Sequence, residues 1–193
     1  MLLTPGKGRV RLATAQQLRN LGAPGDLEVA PARASDHFGP RGTYQSPLGD
    51  LVVGAALNDK PYRVMGNPDQ PHSYTYIPDA AQTLAALGTR GDVAGEVFHV
   101  PNAPAQSTRE IIGTISEQLG RRLKVSITPR PVLRLMGLFN PVLRELGEMA
   151  YEFTQPFVVD SAKAETRLGL APTPLRRAMA ETIAWFRTRA RSQ

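Results

Sequence analysis

The sequence lacks the residues on which several classes of protein depend. It contains no cysteine and only three histidines, His37, His72 and His99, which are far apart in the chain. A disulfide framework and thiol chemistry are therefore excluded, and the histidines lack the spacing of metal ligands, so we predict no metal site. No apolar run has the length of a membrane span or of a signal-peptide core, which makes a cytoplasmic protein the default expectation.

The charge of the chain is positive but dispersed. It has 23 Lys and Arg against 17 Asp and Glu, a net charge of +6, and its cations are spread along the sequence, several of them beside acids. Only the end of the chain, with Arg187, Arg189 and Arg191, forms a basic cluster. A nucleic-acid partner is the least favoured interpretation, because the same charge equally suits an anionic small-molecule substrate.

Apolar patterns of helical and strand spacing alternate along the chain. The predicted helices cover 8–22, 47–57, 79–88, 107–120, two segments within 132–153 and a last segment from 173 onward. The predicted strands cover 27–33, 62–65, 72–77, 96–100 and 124–127, and 157–159 is extended. This alternation predicts an α/β fold. The strands are few and short, so a sheet built from them alone would have exposed edges, which indicates that strands are missing.

A shaped loop follows the strand predicted over 27–33. Residues 34–42 read ASDHFGPRG. Glycine adopts backbone angles that other residues resist, and proline fixes its own φ and ends a strand ladder. The loop therefore stands at the carboxyl end of a strand, where open α/β sheets bind their ligands.

Several short motifs occur in the order found in one enzyme family. Arg33 with Phe38-Gly39-Pro40 matches R-x-x-x-x-Y-G-P with Phe in place of Tyr, and residues 71–79 match R-D-F-V-x-V-x-D. Residues 95–101 match a strand of the type G-x-x-F-N-I-G, and the segment from 168 to Trp185 is similar to the family's closing motif. In this order the motifs resemble the C-terminal half of the extended short-chain dehydrogenase/reductases, the NAD-dependent epimerase/dehydratase family.

The resemblance implies a fold and a division of the chain. The expected fold is the C-terminal part of a Rossmann-like doubly wound sheet plus a small mixed α/β substrate-binding subdomain. Residues 1–33 would be a remnant of the Rossmann-like core, with the active-site helix and the strand after it, and residues 34–193 the substrate-binding region. The family's Gly-rich loop, which holds the pyrophosphate, has no counterpart here, so we expect the cofactor-binding half to be absent.

The resemblance also assigns residues to a site. The family's Tyr-x-x-x-Lys pair falls on Lys7 and Arg11, so that Lys stands in place of the acid/base tyrosine and Arg in place of the ribose-binding lysine. The residues that would face cofactor and substrate are Arg33, Ser35, Asp36, His37, Phe38, Gly39 and Pro40. Of these, His37 is the acid/base candidate. On the substrate side the resemblance places His72, Tyr74 and Tyr76.

Each of these residues also has a structural interpretation. Lys7 and Arg11 are then solvated cations at a helix start, and His37 is a loop residue bonded to backbone. Tyr74 and Tyr76 are then core residues with hydrogen-bonded tips, which is the favoured interpretation for both. His99 alternates with Phe98 and Val100 on a strand and is interpreted as a structural histidine.

The function implied by the resemblance is that of an NAD(P)-dependent epimerase or dehydratase acting on a sugar nucleotide or similar carbonyl or hydroxyl substrate. A complete protein would bind NAD or NADP, whereas this chain alone is expected to bind neither tightly. Two alternatives stay open: a non-catalytic small-molecule-binding or regulatory module of the same fold, and a basic nucleic-acid-associated protein. An apolar stripe on helix 8–22, with Val10, Leu18 and Leu21, predicts self-association or a companion chain that supplies the nucleotide-binding half.

Overall fold

A computed structural model describes residues 6–22, 27–44, 46–65, 67–123, 125–128 and 155–191. Its α-helices are α1 (Gly6–Gly22), α2 (Ala55–Leu57), α3 (Ile77–Gly88), α4 (Thr108–Leu119), α5 (Ala162–Leu168) and α6 (Leu175–Arg191). A π-helical segment (Gly49–Gly54) leads directly into α2, and a 3-10 turn (Gly91–Val93) follows α3. The two helices expected within 132–153 lie outside the described residues.

The strands are short and mostly parallel. They are β1 (Ala32–Arg33), β2 (Asp36–Phe38), β3 (Tyr62–Met65), β4 (Pro71–His72), β5 (Tyr74–Tyr76), β6 (Phe98–His99), β7 (Gln106–Ser107) and β8 (Val125–Thr128). The pairs β1–β6, β2–β5 and β3–β8 are parallel, and β4–β7 is antiparallel. Helices alternating with parallel strands confirm the predicted α/β class.

Two predicted strands are less regular than expected, for local reasons. The regular part of the first is only Ala32–Arg33, although Gly95 N donates to Val29 O and Phe98 N to Pro31 O. Pro31 has no N–H, so the pairing there runs through its carbonyl alone. The predicted strand 72–77 divides at Ser73, whose N–H donates to Phe157 O at 2.8 Å. Its two halves then pair with different strands, β4 with β7 and β5 with β2.

The helix predicted over 47–57 is present, but its first part is π-helical. Val53 N donates to Leu48 O, five residues back, and regular α-helix begins only at Ala55. A side chain at Gly49 would meet Thr43 O at 2.2 Å, so the segment can turn tightly against loop 42–44 only with glycine there. This packing buries one face of the segment, including Val52 and Val53.

Two hydrophobic clusters stabilise the described part of the chain. The larger one joins β2 and β5 to the π-helical segment, α4 and α6; its most buried large side chains are Phe38, Leu48, Val53, Tyr62, Ile111, Ile115 and Met179. The smaller one joins Leu87, Val93, Phe98 and Ala164. Partly buried Ala30 and Ala32, from the segment that contains β1, pack against the smaller cluster.

Helix α1 contributes little to either cluster. Of its predicted apolar stripe, Val10 is 65% and Leu21 56% exposed, while Leu18 is half-buried. Leu12 is exposed as well. This face has no cover from the described residues, and the prediction that another chain covers it stays a prediction. Within the described ranges, no helix combines the length and the hydrophobicity needed to cross a membrane.

Helix α4 begins with the capping box that its sequence predicts. Ser107 Oγ accepts from Glu110 N at 3.3 Å, and the Glu110 carboxylate accepts from Ser107 N at 2.7 Å. The Ser107 hydroxyl, which donates to the same carboxylate at 2.7 Å, and the Ser107 N–H lower the pKa of Glu110. The helix ends at Gly120, whose φ of 65° is left-handed. Both ends of α4 are thus defined by local sequence.

Replacing Ser107 with Ala removes the cap and should destabilise the protein by about 1 kcal/mol. For a chain of this size this corresponds to a fall in Tm of roughly 2–4 °C. Differential scanning calorimetry measures the change. Ser116→Ala, in the middle of the same helix, is the matched control and should leave Tm unchanged or slightly higher, because alanine is the better helix former. Equal falls in both variants would contradict a specific role for the cap.

Candidate functional site

The carboxyl ends of β1 and β6 meet at one edge of the structure. The two strands are parallel, with Arg33 opposite His99, so the residues that follow them emerge side by side. Ser35 follows β1 and Asn102 follows β6, and their side chains are 3.4 Å apart, Oγ to Oδ1. The start of the predicted loop therefore lies where α/β sheets present ligand-binding residues. The prediction of a loop over all of 34–42 is wrong at residues 36–38, which form strand β2 because they pair in parallel with β5.

A buried network of hydroxyl and amide groups fixes the start of this loop. Thr75 Oγ1 accepts from Ser35 N at 2.9 Å and lies 2.9 Å from Ser35 Oγ. It donates in turn to Asn102 Oδ1 at 2.8 Å. Asn102 N donates to Ser161 Oγ at 3.3 Å, and Ser161 Oγ donates to Glu165 at 2.7 Å, which carries the network into α5. The loop is thus bound to β5, to the end of β6 and to α5.

An aspartate–histidine pair lies beside this network. His72 Nε2 is 3.0 Å from Asp36 Oδ2, and because a carboxylate only accepts, the histidine is the donor. The His72 side chain is 5% exposed and that of Asp36 26%. The His72 ring packs against Tyr74 and Phe157, with ring centroids 4.5 and 5.0 Å apart. A buried imidazole, held by two aromatic rings, thus orients a carboxylate that reaches the surface.

The Phe-Gly-Pro part of the loop is an anchor for the backbone. Phe38 is buried, and its ring centroid is 5.5 Å from that of Tyr76. Gly39 has φ of 135°, and a side chain there would meet the Tyr76 ring at 3.0 Å, so only glycine fits. Ser46 Oγ donates to His37 O at 2.7 Å. The His37 side chain is exposed, as is that of Arg33, and Pro40 is half-buried.

The tyrosines of β5 are core residues. Tyr76 Oη donates to Glu181 Oε2 at 2.5 Å, and burial together with this carboxylate raises the pKa of Tyr76. Burial raises the pKa of Tyr74 to about 12. Burial also raises the pKa of Tyr62, whose hydroxyl is buried without a hydrogen-bond partner among the described residues. Contact of Tyr74 or Tyr76 with a substrate stays a prediction.

The remaining candidates lie on α1 and at the end of β6. Lys7 is in the first turn of α1 and Arg11 is one turn further on, with an exposed side chain. No hydrogen bond or ion pair within the described ranges joins Arg11 to the loop. His99 Nδ1 lies 2.9 Å from Asp160 O, as the structural interpretation of this histidine predicts.

Four residues of the site do not follow from the motifs: Thr75, Asn102, Phe157 and Ser161. One signal was available for Asn102, because it follows a predicted parallel strand just as the loop does, and such carboxyl ends meet at one edge. Phe157 becomes part of the site through the bond of Phe157 N to Pro71 O at 2.9 Å. This pairing joins segments far apart in sequence, and no local pattern announces it.

The glycine-containing loop after β2 uses backbone amides for its own hydrogen bonds. The loop after β2 is the glycine-rich segment nearest to the site, but its amides bond within the loop, as Gly42 N to Gly39 O and Gly49 N to Ser46 O. They are therefore not directed at a phosphate. In the part of the chain that the structure describes, no three His, Asp or Glu side chains cluster as metal ligands do.

The described residues form part of an α/β fold, with the candidate site next to the carboxyl ends of the parallel strands β1 and β6. No family model matches the chain. A dTDP-glucose 4,6-dehydratase from Neisseria gonorrhoeae is 26% identical over 156 residues, 80% of this chain and 42% of that protein. The chain thus spans less than half the length of this relative.

Solved structures share the fold. UDP-glucuronic acid 4-epimerase from Bacillus cereus in complex with NAD superposes with a TM-score of 0.74 at 20% identity, covering 100% of this chain and 54% of the epimerase. MoeE5 in complex with UDP-glucose and NAD gives a TM-score of 0.75 at 21% identity, covering 95% of this chain and 56% of MoeE5. The Rossmann-like class is confirmed, and so is the resemblance to the extended short-chain dehydrogenase/reductases. The chain covers only part of each of these proteins, which fits a C-terminal portion.

Replacing Thr75 with Val should destabilise the fold by about 1–3 kcal/mol, because Ser35 N and Asn102 Oδ1 lose a buried partner while the side chain keeps its shape. Urea unfolding measures the loss. Thr83→Val is the matched control: Thr83 is equally buried, but its hydroxyl bonds only to Asp79 O, a carbonyl of its own helix. We expect a clearly smaller change there, and equal losses would contradict the importance of the network.

The buried Tyr74 predicts a loss of stability at alkaline pH. In the unfolded chain its phenol ionises near the ordinary pKa of 10.0, whereas the folded protein keeps it protonated up to about 12. The contribution of this phenol to the free energy of unfolding is therefore full below pH 10 and is lost as the pH rises from 10 through 12. Tyr74→Phe should lower the slope of unfolding free energy against pH in this window. Tyr44→Phe, at an exposed position, should leave the slope unchanged; an unchanged slope in Tyr74→Phe would contradict the assignment.

Proposed function

We propose that this chain is the substrate-binding portion of an NAD(P)-dependent enzyme of the epimerase/dehydratase type, and that its substrate is a sugar nucleotide or a related carbonyl or hydroxyl compound. The observation that carries this proposal is the hydrogen bond between Asp36 and His72. It joins the two segments that the motifs assign to the site, a few residues after the carboxyl end of β1.

The residues of this edge suit a polyhydroxylated ligand. Asp36 offers a partly exposed carboxylate, and the exposed Arg33 and His37 stand on either side of it along the chain. Carboxylates accept hydrogen bonds from hydroxyls, and arginine binds phosphate oxygens. His37 is the proposed proton donor or acceptor, because an imidazole is the side chain suited to proton transfer near neutral pH and this one is exposed on the loop.

The relatives support the same class of substrate. The dehydratase is named for dTDP-glucose, and the two solved structures hold NAD, one of them with UDP-glucose. We propose the same cofactor, NAD or NADP, for a complete protein. Because the family's Gly-rich loop has no counterpart in the sequence, the cofactor would be held by a nucleotide-binding half, joined to residues 34–193 through the core remnant 1–33.

A non-catalytic binding module of the same fold is the second candidate. Lys7 and Arg11 replace the pair that the family uses for proton transfer and ribose binding, and Arg11 is exposed. A solvated lysine, with its ordinary pKa of about 10.4, stays protonated at neutral pH, so Lys7 would need strong desolvation to act as a base. A module of this kind would bind the sugar nucleotide and leave it unchanged.

Isothermal titration calorimetry tests the proposal. The chain should bind UDP-glucose or dTDP-glucose and should bind NADH at least about tenfold more weakly, because the Gly-rich loop with which the family holds the dinucleotide has no counterpart in the sequence. His72→Ala should weaken sugar-nucleotide binding, since Asp36 then loses the donor that orients it. Thr166→Ala, on the exposed face of α5, is the control and should bind as the unchanged chain does.

Two results would count against the proposal. Tight NADH binding without any sugar-nucleotide binding would show that the edge is not a substrate site. Sugar-nucleotide binding that His72→Ala leaves intact would place the ligand elsewhere. The catalytic and non-catalytic candidates separate when a nucleotide-binding half and NAD are supplied together with this chain: a changed sugar, seen by NMR, indicates the enzyme, and unchanged sugar nucleotide indicates the module.

A further inference from the structure

The carboxylate of Asp36 is held at one oxygen only. Oδ2 accepts from His72 Nε2 at 3.0 Å, whereas Oδ1 has no hydrogen-bond or ion-pair partner among the described residues. The side chain is 26% exposed, and the histidine behind it is 5% exposed. Because the His72 ring packs against Tyr74 and Phe157, the oriented oxygen cannot easily turn away. Oδ1 is thus an acceptor without a partner among the described residues, on a carboxylate whose other oxygen is held by a buried histidine.

The negative charge of Asp36 is not cancelled by a neighbouring cation. Within the described ranges no Arg or Lys forms an ion pair with it, and Arg109 of α4 is already paired with Asp69, Nε to Oδ1, at 2.6 Å. Tyr74, which faces Asp36 across the β2–β5 pair, has a raised pKa and is neutral at physiological pH. The site therefore presents to its ligand a carboxylate that has no Lys or Arg counter-ion among the described residues.

We propose that Asp36 is a specificity-determining residue that selects sugar nucleotides with an uncharged hexose and rejects those with a hexuronic acid. This rests on the proposed function, which places the loop against the substrate. A carboxylate accepts hydrogen bonds from the hydroxyls of a neutral sugar, and two carboxylates a few ångströms apart repel each other. Discrimination of this kind results as much from repulsion of the disfavoured ligand as from attraction of the favoured one.

A matched pair of ligands is available for the test. MoeE5 has been crystallised with UDP-glucose and with UDP-glucuronic acid, and both structures superpose on this chain with a TM-score of 0.75. The two ligands differ at one carbon of the hexose, where one has a hydroxymethyl group and the other a carboxylate. Their ratio of dissociation constants therefore reports the charge at the sugar and cancels the contribution of the shared nucleotide.

Calorimetric titration of the full chain with each ligand should give a preference of about tenfold or more for UDP-glucose. Asp36→Asn should reduce the ratio to near one, mainly by improving the binding of UDP-glucuronic acid, because the amide keeps an oxygen for His72 Nε2 but carries no charge. Asp92→Asn removes an exposed acid that pairs with Arg90 and should leave the ratio unchanged. Circular dichroism confirms that each variant folds.

A second measurement needs no variant. In the unchanged chain the preference for UDP-glucose should shrink as NaCl is raised from about 20 mM to about 500 mM, since salt screens charge repulsion at a partly exposed site. A preference for UDP-glucuronic acid, a ratio near one, or a ratio that neither Asp36→Asn nor salt changes would overturn the role of Asp36 and leave the proposed function intact. Failure of both ligands to bind would overturn the proposed function and this inference with it.

Discussion

The arrangement of the site depends on one buried hydroxyl, that of Thr75. It bonds to Ser35 at the end of β1 and to Asn102 after β6, so one side chain holds three segments that are distant in sequence. The segment 34–42 begins at this point. Asp36, the residue after Ser35, meets His72 on β4, the strand that precedes β5 in the chain. Since β2 pairs with β5 through only three residues, side-chain bonds rather than a long ladder determine where the loop lies.

The two hydrophobic clusters differ in how far the described chain completes them. The larger cluster has strands β2 and β5 on one side and helices α4 and α6 on the other, which gives it cover from its own elements. The smaller one ends at Ala30 and Ala32, in a segment hydrogen-bonded to β6 on one edge. Helix α1 precedes this segment with much of its apolar surface exposed. Among the described residues, four of the eight exposed large hydrophobic side chains thus lie within residues 6–33, the segment that resembles the remnant of a larger sheet.

The sequence predicts those parts of the fold that local chemistry determines. Ser107 and Glu110 predict the start of α4 and Gly120 its end, because caps are decided within one turn of helix. The alternation of helices and strands predicts the α/β class, because apolar spacing is likewise a property of the local sequence. The division of a strand at Ser73 was not predictable, since it depends on a distant contact with Phe157. The π-helical start at Gly49 was not predictable either, since the spacing of apolar residues does not report the close approach of loop 42–44.

In the site too, local sequence predicts some features, whereas contacts between distant residues determine others. This difference bears on how the chain would recognise a ligand. Glycine and proline in ASDHFGPRG predict a shaped loop, but not that Asp36 and His72, 36 residues apart in sequence, would meet. A histidine donor behind a carboxylate fixes the direction of the acceptor oxygen while the charge stays uncompensated. Such a group gains from a ligand hydroxyl and is penalised by a ligand carboxylate, whichever residue transfers the proton. In the function proposed above, recognition of the sugar can therefore persist even with Lys7 and Arg11 at the positions that the resemblance assigns to the usual catalytic pair.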